Sequence, residues 1–143
     1  MKTKAKRLCE AFGLTFFYDT WNRANRSIET EMRENGGDIY PAALLISTSA
    51  GAFQFIADGT HRQEEVVLAL FERTERDNTE CDTAIQERMI DIASKLISKT
   101  HEYGLEIVGE SVRYSPFTDR LDENVAGIAL TLTLRDTTPE ECK

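Results

Sequence analysis

From Thr79 to Tyr103 the large apolar residues Ile85, Met89, Ile92 and Leu96 recur at alternating steps of four and three, and Ala93 widens the stripe. Gln86, Arg88, Asp91, Lys95 and Lys99 fall on the other side. This period predicts one long amphipathic helix that packs across a sheet. Thr79 with Asp82, or Thr83 with Gln86, has the spacing of a capping box, and Gly104 offers a left-handed stop. Burial of each aliphatic side chain contributes roughly 1.5–3 kcal/mol, so packing rather than propensity holds such a helix.

Elsewhere the period changes to two. Ala42–Ser47 and Ala52–Ala57 read as strands joined through Ser49-Ala50-Gly51, and Asp58 to Arg62 reads as a polar turn. Val66–Arg73 is apolar on both sides, as a central strand requires. After Gly104, Leu105 and Ile107 share one face, whereas Val108, Val112 and Tyr114 share the other. The phase flip near Gly109 predicts a bulge. Ser115 to Asn124 reads as a polar loop. Ile128, Leu130, Leu132 and Leu134 then alternate with Ala129, Thr131, Thr133 and Arg135, a strand with one buried face.

The N-terminal part is sparser. Ala5, Leu8, Cys9 and Phe12 give an apolar face to a short helix over Lys2–Phe12, closed by Gly13, with its basic residues in solvent. Thr15–Tyr18 is aromatic-rich and reads as a short strand or a docking segment. Thr20–Glu34 is strongly charged and spaces only Trp21, Ile28 and Met32 along a stripe, before the Asn35-Gly36-Gly37-Asp38 loop. A segment with so little to bury is a candidate interaction arm, about residues 19–40. Trp21, Ile28, Met32 and Tyr40 are its candidate subunit-contact residues. The competing reading is that Trp21 and Tyr40 pin the segment to their own domain. Residues 136–143 read as a flexible tail.

These elements define an α+β fold in one domain spanning 1–143: a single mainly antiparallel sheet, made of a three-strand meander plus two C-terminal strands, packed against one long helix. With 143 residues, 41% of them hydrophobic and 29% charged, the chain has material for one core and is not disordered throughout. Lys and Arg total 17 against 25 Asp and Glu, a net charge of −8, which disfavours phosphate backbones and sequence-specific nucleic-acid binding. The uncharged run from Ile39 to Ala57 contains Pro41, Gly51 and several hydroxyl residues, so it does not read as a membrane span. The basic cluster at Lys2, Lys4, Lys6 and Arg7 lacks the cleavage site of an export signal.

No residue set commits the chain to catalysis. Cys9, Cys81 and Cys142 are widely spaced, which argues against a disulfide scaffold or zinc site and fits a reducing cytoplasm, with Cys9 and Cys81 as buried or inert thiols. His61 and His101 lack a ligand signature and read as solvated. Asp119, Asp122 and Glu123 lack the glycine and alternation of a calcium loop. No phosphate-binding loop is present. The expectation is a non-enzyme without cofactor or metal.

Tyr40-Pro41-Ala42-Ala43 entering the first strand, Gly51 in the hairpin, Asp77-Asn78-Thr79 before the helix and Asn124-Val125-Ala126-Gly127-Ile128 entering the last strand complete a characteristic order of elements. That order resembles the tail-terminator or tail-completion proteins of long-tailed bacteriophages and prophages. The resemblance implies a structural role: a ring, often hexameric, that caps the tail tube or joins it to the head. It also implies other copies and neighbouring tail or neck proteins as partners, with the bacterial cytoplasm and then the virion tail as location. It carries no functional residue across. Two other classes fit the composition: an acidic inhibitor or immunity-type module, marked by an acidic face around Glu64, Glu65, Asp77, Glu80 and Asp82, and a small α+β enzyme, marked by a deep pocket near His61 or His101.

Overall fold

The computed structural model describes residues 2–18, 23, 40–56, 59–74, 79–118 and 125–136. Helix α1 (Lys2–Ala11) is followed by strands β1 (Thr15–Tyr18), β2 (Ala42–Ile56) and β3 (Gly59–Arg73). Helix α2 (Thr79–Ser98), a 3-10 turn (Thr100–Tyr103) and strands β4 (Leu105–Thr118) and β5 (Val125–Asp136) complete the described chain. The fold is α+β with a mixed sheet in the order β1-β2-β3-β5-β4. β1 runs parallel to β2, and the other neighbours are antiparallel.

The long helix forms where its stripe requires. Ile85, Met89, Ala93 and Leu96 are buried, while Ile92 is half-buried against the same core. α2 packs on β5, β3 and β4. It ends earlier than the periodicity predicts: Ser98 closes the α-helix, and the chain tightens through the 3-10 turn to Gly104, whose φ of 77° gives the left-handed stop. The capping pairs are used otherwise. Thr83 lies inside the helix and donates to the Thr79 carbonyl, Gln86 donates to the Phe117 carbonyl, and Asp82 accepts from Thr74.

The three-strand meander does not form. The residues read as two strands and a turn are one strand, β2, which pairs with β3 on both sides of a register irregularity between Ser47 and Gly51. Ser47 and Gly51 flank this irregularity inside one strand instead of a hairpin turn, because pairing with β3 resumes beyond it and satisfies backbone groups that a turn would have to satisfy locally. β3 correspondingly starts at Gly59, so Thr60-His61-Arg62 are extended rather than turn-like. β4 has the bulge expected near Gly109, whose φ is 105°, between Val108 and Arg113. It then runs on to Thr118 through the polar stretch read as a loop. β5 lies between β3 and β4 and is covered on both faces near its start, where Val125, Ala126 and Ile128 are buried.

The core has two parts. On the helix side, Leu8 and Cys9 of α1 and the α2 stripe meet Leu45, Val66, Leu68, Leu70, Ile128, Leu130 and Leu132. On the opposite face, Phe17, Leu44, Ala69, Phe71, Phe117 and Val125 form a second cluster. There β5 carries Gly127, which sits in register between Phe71 and Phe117. Their rings meet edge to face at a centroid distance of 6.4 Å.

Candidate functional site: an exposed aromatic hairpin

β2 and β3 are much longer than their neighbours need. β1 pairs with β2 only at Ala42–Leu45, and β5 pairs with β3 only from Gln63 onward. The remainder, Gly51–Ile56 against Gly59–Glu64, forms an arm whose outer part, 53–56 against 59–62, has no third strand beside it among the described residues. Its register sets Gly51 opposite Glu64, Phe53 opposite Arg62 and Phe55 opposite Thr60. Because side chains alternate, Phe53 and Phe55 share one face of the arm. They are 68% and 84% exposed, the largest fractions among the exposed large apolar residues that are described. Arg62 forms a 2.8 Å ion pair with Glu64 beside them.

A solvent-facing aromatic pair at the end of a ribbon contributes nothing to the core, and hot spots of protein interfaces are enriched in aromatic residues. Sequence reasoning read 52–57 as strand but missed this site. Alternation at 53 and 55 is the same signal that a buried strand face gives. Tyr18 on β1 and Tyr114 on β4 are also exposed, and the Lys2 ammonium lies 4.9 Å from the Tyr18 ring centroid.

Of the four candidate contact residues, Trp21, Ile28 and Met32 lie outside the described residues, as does most of the 19–40 arm. Tyr40 is half-buried, and its ring meets Phe71 of the second cluster edge to face at 6.2 Å. Asp119, Asp122, Glu123 and Cys142 also lie outside the described residues, as do positions 137–143 of the expected tail.

The polar candidates separate. His61 is in β3, with Nδ1 3.1 Å from the Asp136 carbonyl, so it is not simply solvated. His101 is exposed in the 3-10 turn. No group of three or more His, Cys, Asp or Glu among the described residues is arranged to hold a metal ion. Cys9 is buried and Cys81 half-buried, and both are free thiols. Desolvation, with a smaller contribution from Glu10, pushes the Cys9 pKa up to about 12, so its nucleophilic thiolate is suppressed.

One basic residue departs from the solvated end expected for α1. Lys4 is buried, and its ammonium donates to Asp136 Oδ1 and, at 3.4 Å, to the Gly104 carbonyl. It ties α1 to the last residue of β5 and to the stop after the 3-10 turn. Nearby, Leu8, Cys9, Leu45, Leu68, Leu96 and Leu105 help to line an apolar cavity of about 20 Å³. Ligand pockets occupy roughly 300–1,000 Å³, so this is a packing void of about one water's size, with apolar walls that give water no partner. No helix among the described residues is long and apolar enough to cross a membrane.

No protein-family model matches the chain, and no curated protein matches it.

Proposed function

We propose that this protein is a structural assembly component of a phage or prophage tail, which caps the tail tube or joins it to the head by binding protein subunits. The observation that carries the reading is the projecting aromatic pair, Phe53 and Phe55, on a ribbon that extends past both neighbouring strands. An assembly subunit needs a surface that is stable when exposed and gains from being covered. A two-stranded arm anchored in a five-stranded sheet supplies one. The net charge of −8 is compatible with a ring that must not adhere to passing DNA.

The test is deletion of the gene from its lysogen, followed by induction and electron microscopy. Tails of irregular length, or heads without tails, are expected, and complementation with the Phe53→Ser/Phe55→Ser variant should fail although that variant folds. Normal particles after deletion would overturn the proposal.

A further inference from the structure

The two strands of the arm are held differently where they leave the sheet. On the β2 side the register is irregular between Ser47 and Gly51, so that strand enters the arm through a break in its ladder. On the other side β3 keeps unbroken register with β5 and, among the described residues, that pairing stops at Gln63 opposite Arg135. Asp136, the last residue of β5, pairs with Leu105 of β4. Beyond the Gln63 rung, the Asp136 carbonyl lies 3.1 Å from Nδ1 of His61, a residue of the outer arm. A carbonyl can only accept, so Nδ1 carries the proton in this contact. Asp136 is itself fixed: its carboxylate takes the Lys4 ammonium, which also donates to the Gly104 carbonyl at 3.4 Å. The imidazole thus joins the arm to a residue held by β4 and α1.

We infer that His61 is a positioning residue for the arm: its bond to the Asp136 carbonyl sets the direction in which 53–56 and 59–62 project. A two-stranded ribbon is marginal by itself, and one entered through a break on one strand can swing about that point. Its direction then depends on what holds the other strand past its last rung. His61 supplies such a hold two residues beyond Gln63, at the root of the outer arm. Arg62, by contrast, ion-pairs within its own strand, with Glu64. The consequence lies at Phe53 and Phe55. Phe53 is opposite Arg62 and Phe55 opposite Thr60, the two residues that flank His61, so a fixed His61 presents both rings in one orientation. A surface already held in one orientation loses less freedom on association than a swinging one. This rests on the arm as an association surface, as the tail-assembly reading has it, and gives that surface its direction.

The experiment measures the direction of the arm in the full chain. Spin labels are placed at Thr60→Cys on the arm and Glu87→Cys on α2, both exposed positions, with Cys9, Cys81 and Cys142 replaced by Ala. Pulsed electron double resonance then gives the distance distribution between them. With His61 in place the distribution should be narrow. His61→Ala should broaden it about twofold, while the melting temperature in the same labelled background falls by only a few degrees, as befits one partly exposed hydrogen bond. His61→Asn sets its Nδ2 at the same number of bonds from Cα as Nδ1 of the imidazole and should restore the narrow distribution. His61→Phe keeps a ring but has no donor and should stay broad. Equal widths for His61 and His61→Ala overturn the inference, as does a His61→Asn chain as broad as His61→Ala. A narrow distribution for His61→Phe overturns it too, because packing of the ring would then hold the arm. The measurement needs no particle, so its failure is distinct from failure of the tail-assembly reading, which the deletion phenotype decides.

Discussion

Gly127 is the position at which one added methyl group should be least tolerated. It lies in β5, paired with Phe71 on one side and Phe117 on the other. A Cβ built there would stand 1.9 Å from the Leu70 carbonyl oxygen, 2.7 Å from Phe71 Cα and 2.8 Å from Phe71 Cβ. Two of these atoms belong to the backbone of the adjacent strand, so no side-chain rotation relieves the overlap. β3 and β5 must move apart by about 1 Å or more, which stretches ladder hydrogen bonds worth roughly 0.5–1.5 kcal/mol each and disturbs the rings packed over the glycine. Overpacking a core costs typically about 1–3 kcal/mol, and a backbone clash belongs at or above the top of that range. Gly127→Ala should therefore lose about 3 kcal/mol or more, a fall in melting temperature on the order of 10 °C for a domain of this size. Urea denaturation followed by circular dichroism measures it. Gly51→Ala is the internal control: its nearest neighbours would be at 3.5 and 3.7 Å, ordinary contact distances, and the change should stay within about 1 kcal/mol of wild type. Equal midpoints for Gly127→Ala and Gly51→Ala would refute the close approach of β3 and β5 at this point.

Leu96→Ala should cost about 2–5 kcal/mol in the same assay, toward the upper end because the side chain already borders the 20 Å³ void and its loss would enlarge it; no change in midpoint would remove α2 from the core. Lys4→Ala leaves the Asp136 carboxylate, on a side chain only 14% exposed, without its ammonium, and should destabilise by about 3–5 kcal/mol; Lys4→Met with Asp136→Leu should recover most of that loss, and equal stability of the single and double variants would refute the pairing. Cys9 gives a pH dependence. Its pKa is raised in the folded state, so the stability it contributes is complete below the unfolded value near 9 and is lost as pH rises toward about 12, at about 1.4 kcal/mol per pH unit. Denaturation midpoints between pH 8 and 10.5 should fall more steeply for wild type than for Cys9→Ala, and parallel curves would contradict the buried thiol.

What could be read in the sequence was whatever expresses itself as periodicity within one element. The α2 stripe, the both-sided apolar run of β3 and the change of phase at Gly109 each depend on neighbours a few residues apart. Pairing of distant segments was not legible. Ser47 to Gly51 has turn chemistry, yet it lies inside β2 because pairing with β3 continues on either side of it, and Gly59 to Arg62 is strand despite its polarity because it pairs with 53–56 of β2. The parallel pairing of β1 with β2 joins residues far apart in the chain and leaves no local trace. Lys4 precedes the apolar face of α1 by one position, and only the placement of Asp136 across the fold explains its burial. The candidate site was hidden for a related reason: Phe53 and Phe55 alternate as core residues do, and only the lengths of the flanking strands show that nothing described lies over them.

If tail assembly runs through the 51–56 arm, as proposed, that segment is covered when particles form. Amide hydrogen exchange of the dilute, isolated chain, compared with the chain incorporated into assembled particles, tests it most directly. Segment 51–56 should exchange rapidly when isolated and slow at least tenfold on assembly, while the buried strand segment 66–71 is already slow in both states. Unchanged exchange across 51–56, with new protection elsewhere, would contradict it.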